Sequence, residues 1–289
     1  MGKCLYPRTI KRVIYGVSQG ITIPCGKCVE CLSTKRQVWL FRLLQELKVS
    51  STCYFVTLTY DDEHITWEYD RQQLNKRDVQ LFLKRLRKKY GKGIRYFLCG
   101  EYGTNTFRPH YHMLLFNLPE QDNTPSKIKL SKKIESIWQN GHVDIGDTVG
   151  ANAINYCAKY IMYAHQVEDR LVKPFILTSR RPGLGANYAN NDDVRNYYHN
   201  NPDAYALQDG CKLALPRFYS TKIFTPEELE ERYYTNKDKR EKEMKDKIRH
   251  DFATKTYSQR SMEERNDREA RKSNEINKKK FLTKTRQKL

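Results

Sequence analysis

The chain has 289 residues, 53 of them Lys or Arg and 34 Asp or Glu, for a formal net charge of +19. A hydrophobic share of 38% is enough for a core, but no stretch approaches the roughly 20 apolar residues needed to cross a bilayer. The first residues lack the apolar run of a secretory leader, so a secreted or membrane-spanning protein is not expected. Residues 225–289 carry 20 basic and 14 acidic side chains, a net of +6, which leaves +13 of the +19 on the body. A basic tail alone would say little. A basic body is the electrostatic footprint of a phosphate-backbone partner, so nucleic acid is the expected ligand.

Taken in chain order, Cys4, Cys25, Cys28 and Cys31 cluster at the front of the chain, and Trp39, Leu40, Leu43, Leu44 and Leu47 predict a helix over 32–49. Residues 53–60, CYFVTLTY, are β-branched and aromatic and read as a buried strand. Asn75 then caps a helix in which Val79, Phe82, Leu83, Leu86 and Tyr90 recur at helical spacing, and Gly91 stops it. Its outer face holds Lys84, Arg85, Arg87, Lys88 and Lys89. Strands at 94–101 and 110–116 follow, joined as a hairpin through a loop with Gly103, Asn105 and Pro109. A helix near 131–140, a strand at 142–149 and a helix at 152–164 complete the pattern. Strands and helices without a repeating βαβ rhythm imply an α+β fold, a mainly antiparallel sheet with helices against it. Residues 165–224, broken by Pro174, Pro182, Gly183, Gly185, Asn190, Asn191 and Pro202, are expected to be an irregular extension. The charged tail from Thr225 is expected to be marginal helix or disorder. The organisation expected is thus a Cys-rich segment and helix over 1–50, a central domain over 51–164, the extension over 165–224 and the tail over 225–289.

Three constellations carry chemistry. Eight cysteines without a secretory leader read as reduced thiols or metal ligands. Cys25-x2-Cys28-x2-Cys31 with Cys4 upstream offers four thiolates, which suits a structural zinc better than an iron–sulfur cluster. Cys53, Cys99, Cys157 and Cys211 sit singly among apolar residues and read as buried small side chains. In Pro109-His110-Tyr111-His112, residues two apart share a strand face, so both imidazoles point one way and Tyr111 the other. Glu101, near the closing end of the same hairpin, supplies the carboxylate that would favour a hard divalent cation such as Mg or Mn.

The third constellation lies in the helix over 152–164. Ile154, Cys157, Ala158 and Ile161 form an apolar stripe, with Tyr156, Lys159, Tyr160 and Tyr163 nearly opposite. Tyr156 and Tyr160 are four apart, so their Cβ atoms lie about 5–6 Å from each other, with Lys159 in reach of both. Two phenols and an ammonium suit attack on a metal-polarised phosphodiester, giving a covalent phosphotyrosine that conserves the bond for rejoining.

FVTLTY (55–60), RPHYHMLLF (108–116) and YCAKY (156–160), in that order, resemble the three motifs of the HUH endonucleases, the rolling-circle replication initiators. PCGKCVEC (24–31), CGEYGTNTFRPHYH (99–112), SRRPGLG (179–185) and LPRFY (215–219) are similar to the initiators of gokushovirus-type microviruses. The resemblance covers most of residues 1–224. It implies an RRM-like sheet with the tyrosine helix packed beside the histidine strand, metal on His110 and His112 with Glu101 as third ligand, and Tyr156 and Tyr160 as nucleophiles. It further implies nicking and joining of single-stranded or supercoiled origin DNA in the bacterial host cytoplasm, with host helicase and polymerase as partners. Tyr111 departs from the usual aliphatic residue between the histidines. Arg108, Lys84, Arg85 and Lys88 are expected to contact phosphates. Two other classes are consistent with the residues alone: a nuclease whose metal activates water, and a non-catalytic, zinc-dependent nucleic-acid binder.

Overall fold

The computed structural model describes residues 4–14, 17–103, 106–119, 126–146, 150–162, 170–201, 205–208 and 210–287. The chain divides into two compact units, Lys3–Val29 with Tyr188–Leu289, and Glu30–Asn187. The first opens with a two-stranded antiparallel ribbon, β1 (Arg8–Ile14) and β2 (Val17–Ile23), in which Arg8 pairs with Ile23 and Ile14 with Val17. Sequence reasoning missed this ribbon. Its apolar residues are β-branched, but Lys11-Arg12 and Ser18-Gln19 interrupt the alternation that marks a strand. Helix α1 (Val29–Leu47) follows, three residues earlier at its start than the periodicity predicts.

The second unit is built on a five-stranded sheet. Its strands are β3 (Cys53–Tyr60), β6 (Arg95–Tyr102), β7 (Pro109–Phe116), β8 (Gly141–Ile145) and β9 (Ile176–Thr178), with a small side hairpin of β4 (Thr66–Glu68) and β5 (Arg71–Gln73). The spatial order is β8-β3-β7-β6-β9, and every pairing is antiparallel. Helices α2 (Lys76–Tyr90), α3 (Lys127–Trp138) and α4 (Gly150–Lys159) are interspersed. The architecture is therefore α+β, as the pattern implied, and consistent with an RRM-like sheet. The short β9 lies inside the segment expected to be irregular. Three residues framed by Pro174 and Pro182 carry too little periodicity to announce a strand, yet they close the β6 edge.

Alternation along the strands assigns the two sheet faces. Val56, Leu58 and Tyr60 of β3, Leu98 and Tyr102 of β6, and Tyr111, Met113 and Leu115 of β7 point into one core. There they meet Val79, Phe82, Leu83 and Leu86 of α2 and Ile134, Ile137 and Trp138 of α3. Asn75 caps α2 as predicted, its side chain accepting the N–H groups of Arg77 and Asp78. Gly141 is required by close approach. Its φ is +133°, and a Cβ there would stand 2.3 Å from Asp61 N and 2.5 Å from Thr59 O. The opposite face carries Phe55, Thr57, His110, His112, Phe97, Cys99 and Glu101. Trp39 of α1 packs on Phe97, with ring centroids 5.1 Å apart, and α4 lies on the same side.

The remainder of the first unit is more regular than expected: α5 (Asn187–Asn190), α6 (Asp192–Asn200), β10 (Tyr205–Gln208) paired with β11 (Cys211–Ala214), and α7 (Arg217–Ile223). The tail forms α8 (Pro226–Thr254) and α9 (Tyr257–Gln287). A reciprocal cap starts α8: Thr225 Oγ1 accepts the Glu228 N–H, and Glu228 Oε2 accepts the Thr225 N–H. Pairs such as Lys237–Glu241 and Arg265–Glu269 sit one turn apart along these exposed helices, each contributing about 0.3–0.5 kcal/mol. The tail is thus helical through local terms rather than through a buried core. Residues 104–105, 147–149, 163–164 and 202–204, on which parts of the expected loop, strand, helix and extension fall, lie outside the described residues.

Tyr111 is fully buried, and its hydroxyl accepts the Asn75 N–H at 2.8 Å and lies 2.9 Å from the Tyr60 hydroxyl, which donates to Asp78. This network joins β3, β7 and the start of α2. Tyr111→Phe leaves the Asn75 N–H and the Tyr60 hydroxyl short of a partner, so a loss of about 1–2 kcal/mol is expected. Thermal or urea unfolding reads the loss; an unchanged midpoint would contradict it.

Candidate active site

The pairing of β6 with β7 sets Glu101 directly opposite His110. His112, two residues along β7, shares its face. Both imidazoles converge on one carboxylate oxygen: His110 Nε2 lies 2.8 Å and His112 Nε2 3.0 Å from Glu101 Oε1. The three ligand atoms lie within 4.8 Å of one another. The other ring nitrogens are also held. His110 Nδ1 is 3.0 Å from the Arg108 carbonyl, which can only accept, so Nδ1 carries the proton. In the neutral ring that leaves the Nε2 lone pair for a ligand. His112 Nδ1 lies 3.2 Å from Thr57 Oγ1 on β3. Two imidazole nitrogens and one carboxylate oxygen, oriented from behind, fit a divalent cation.

Electrostatics agree with a preorganised site. Burial pushes the Glu101 carboxyl up, but hydrogen bonds from His110 and His112 outweigh it and hold the pKa below the usual carboxylate value. Burial also opposes a charged His110, yet the Glu101 bond and charge raise its pKa. At the more deeply buried His112, desolvation prevails and lowers it.

Helix α4 brings the phenols to this cluster. The ring of Tyr160 stacks on His112 at 4.4 Å with an 11° interplanar angle, and Tyr156 stands edge-on to the same imidazole at 6.1 Å. Tyr156 and Tyr160 are 5.6 Å apart, and Lys159 Nζ lies 5.3 Å from the Tyr156 ring centre. Phe55 packs between the layers, stacked on His112 and edge-on to Tyr156. Burial raises the pKa of both phenols, a rise that a hydrogen bond with Tyr160 partly offsets at Tyr156.

The helical wheel needs one correction. The tyrosines do not look away from the fold: Tyr160 is only 4% exposed and faces the sheet. Helix α4 is buried on both sides, with Ile154, Cys157 and Ala158 on one and Tyr160, in the 3-10 turn Tyr160–Met162 that follows Lys159, on the other. Tyr163 lies outside the described residues.

The basic residues are deployed differently from the expectation. Arg85 donates from Nε to the Ile137 carbonyl and from Nη2 to the Trp138 carbonyl, each at 2.7 Å, so it satisfies the exposed end of α3. Arg108 donates to the Tyr60 carbonyl and pairs with Asp62 at 2.7 Å. Lys84 and Lys88 are exposed, but α2 packs on the sheet face opposite the histidines. Cys99 and Cys157 are buried as read, Cys53 is half-buried, and the Cys211 side chain is outside the described residues. Cys4, Cys25, Cys28 and Cys31 gather with ligand atoms within 4.8 Å of one another. Sequence reasoning missed Thr57 and Phe55; the signal was the alternation of FVTLTY, which puts both on the histidine side of β3.

Residues 53–165, which span this whole site, match the family model described as replication-associated protein ORF2/G2P. The chain is 32% identical over 241 residues to the replication-associated protein ORF2 of Spiroplasma virus 4, covering 76% of this chain and 73% of that protein. It is 29% identical over 216 residues to the replication-associated protein VP4 of Bdellovibrio phage phiMH2K, covering 68% of this chain and 65% of that one. Replication-associated protein ORF4 of Chlamydia phage 1 is 29% identical over 157 residues, 48% of this chain and 37% of its own length. No solved structure matches the chain. With the Spiroplasma virus protein matched over nearly three quarters of its length, the chain belongs to the family of phage replication-associated proteins of the ORF2/G2P kind.

Proposed function

We propose that this protein nicks and rejoins single-stranded origin DNA through a tyrosine to start rolling-circle replication. The observation that carries the reading is the stacking of Tyr160 and the edge-on approach of Tyr156 to an imidazole that itself meets Glu101 and His110. Glu101, His110 and His112 would hold a divalent ion, Mg or Mn, which would supply positive charge against the scissile phosphate. The chain does the rest. A phenolic oxygen attacks phosphorus, a Tyr–O–P bond forms, the bond from phosphorus to the 3′ oxygen breaks, and that oxygen leaves as a 3′ hydroxyl after taking up a proton. The phenolic proton goes to solvent. Lys159, beside the Tyr156 ring, offsets the negative charge that develops on the attacking oxygen and phosphate.

The two phenols are not equivalent. Tyr156 is half-buried and Tyr160 nearly closed off, so Tyr156 makes the first cut and Tyr160 serves the second transfer, when the regenerated origin is cut and the circle closed. The free 3′ hydroxyl would be offered to host helicase and polymerase in the bacterial cytoplasm. Exposed Trp67 and Phe107 flank a cavity of about 290 Å³ beside the β6–β7 turn, suited to stacking of unpaired bases.

Incubation of the protein with an origin oligonucleotide and Mn should give an adduct that survives denaturation. Tyr156→Phe should abolish the first adduct, whereas Tyr160→Phe should keep it. Persistence in the double variant would overturn the tyrosine assignment, and cleavage with no adduct would replace it with a water-activated nuclease. Thr57→Val removes the partner of His112 Nδ1 and should raise the Mn concentration for half-maximal nicking by about 10-fold or more; an unmoved midpoint would exclude Thr57 as an orienting residue. Trp67→Ala with Phe107→Ala should weaken single-stranded DNA binding at least several-fold, in line with about 1–3 kcal/mol per stacked base. Equal affinity in a filter-binding titration would remove the stacking role.

A further inference from the structure

We propose that Cys4, Cys25, Cys28 and Cys31 form a four-thiolate site that holds one zinc ion at the base of the N-terminal ribbon. In a tetrahedral site with Zn–S near 2.3 Å, any two sulfurs are about 3.8 Å apart. Cys4 and Cys28 Sγ are 3.9 Å apart, and all four sulfurs lie within 4.8 Å of one another. Among the described cysteines none is in a disulfide.

The backbone around the sulfurs is arranged for thiolates. The Lys27 and Cys28 N–H groups point at Cys25 Sγ, at 3.4 and 3.3 Å. The Cys25 N–H points at Cys4 Sγ, at 3.2 Å. Such donors stabilise a charged sulfur far more than a neutral thiol. Cys28 directly precedes α1 and Cys31 follows one turn along it, so the helix itself fixes their separation. Four thiolates around Zn²⁺ carry a net charge of −2. Arg8, whose guanidinium reaches the Cys25 carbonyl, and Lys27 beside it supply compensating charge.

The fold also has a need for such an ion. A two-stranded ribbon is marginal in water on its own, and β1–β2 pairs with no other strand among the described residues. Ile10 and Val13 remain 43% and 68% exposed, so among the described side chains no fully buried apolar face holds it. Cys4 precedes β1 by four residues and Cys25 follows β2 by two. One ion held by Cys4 and Cys25 therefore joins both ends of the ribbon, and its binding energy serves as folding energy.

The test uses the full chain carrying His110→Ala and His112→Ala, so that metal retained is not at the catalytic ligands. Purified without oxygen, it should hold about one zinc by elemental analysis. Absence of zinc, or iron with acid-labile sulfide, would overturn the proposal. After cobalt exchange, absorption should show thiolate charge transfer and the strong d–d bands of a tetrahedral four-sulfur site; an octahedral spectrum would refute it. Cys28→Ser with Cys31→Ser should reduce zinc from one per chain to none. If that variant does not fold, Cys31→His keeps a ligand in place, and its cobalt bands should shift to those of three sulfurs and one nitrogen. An unshifted spectrum would exclude Cys31 from the site.

Discussion

Two imidazole nitrogens aimed at a single carboxylate oxygen form a cluster whose cost is met only when the surrounding backbone cannot relax away from it. Here the constraint is strand register. Glu101 opposes His110 across the β6–β7 pair, and because side chains alternate, a slip of one residue would send the whole set to the other face of the sheet. What forbids the slip lies on that other face. Tyr111, Met113 and Leu115 are fully buried against α2 and α3, and the Tyr111 hydroxyl is bonded into the cap of α2. Tyr111, the residue between the two histidines, thus acts as the pin that keeps them in place. Thr57 and the Arg108 carbonyl then set the ring orientations from behind.

A second constraint comes from how α4 ends. In a continuous helix, Tyr156 and Tyr160 would lie 40° apart around the axis and share one environment. The ring of Tyr160, in the 3-10 turn that follows α4, stacks on His112, while Tyr156 stands edge-on to it, beside Lys159 and half-buried. Two chemically identical side chains four residues apart are thereby given different access and different hydrogen bonding. The asymmetry requires no difference in residue type.

Long elements with strong periodicity were legible from composition and spacing: β3, β6, β7 and α2, including the Asn75 cap and the Gly91 stop. The Glu101, His110 and His112 cluster was legible for the same reason, since a tight hairpin converts sequence separation into geometry with little freedom. Short or weakly patterned pieces were not. The three-residue β9 gains its place from the β6 edge rather than from its own residues, and β1–β2 interleaves apolar with charged positions. Side-chain commitments were also invisible. Nothing in the run Lys84-Arg85-Arg87-Lys88-Lys89 marks Arg85 as the one that closes the carbonyl end of α3, because that end arrives from more than 50 residues away.

That arrangement changes what the positive charge of the body can do. Stacked layers of secondary structure stand about 10 Å apart, and the Debye length at physiological salt is about 8 Å. Lys84 and Lys88, on the far side of α2, are separated from Glu101 and the phenols by a helix and a sheet, so their pull on a phosphate at the histidines is heavily screened. Arg108 is already paired with Asp62. On the histidine face, Lys159 lies beside Tyr156, and the charge of Lys35 of α1 reaches Cys99. In the proposed reaction, the basic surface of α2 would therefore act on nucleic acid that wraps beyond the site or approaches from a distance, where many weak charges add. Charge balance at the phosphate would fall instead to Lys159 and to a cation held by Glu101, His110 and His112, three residues that the register of two strands holds together.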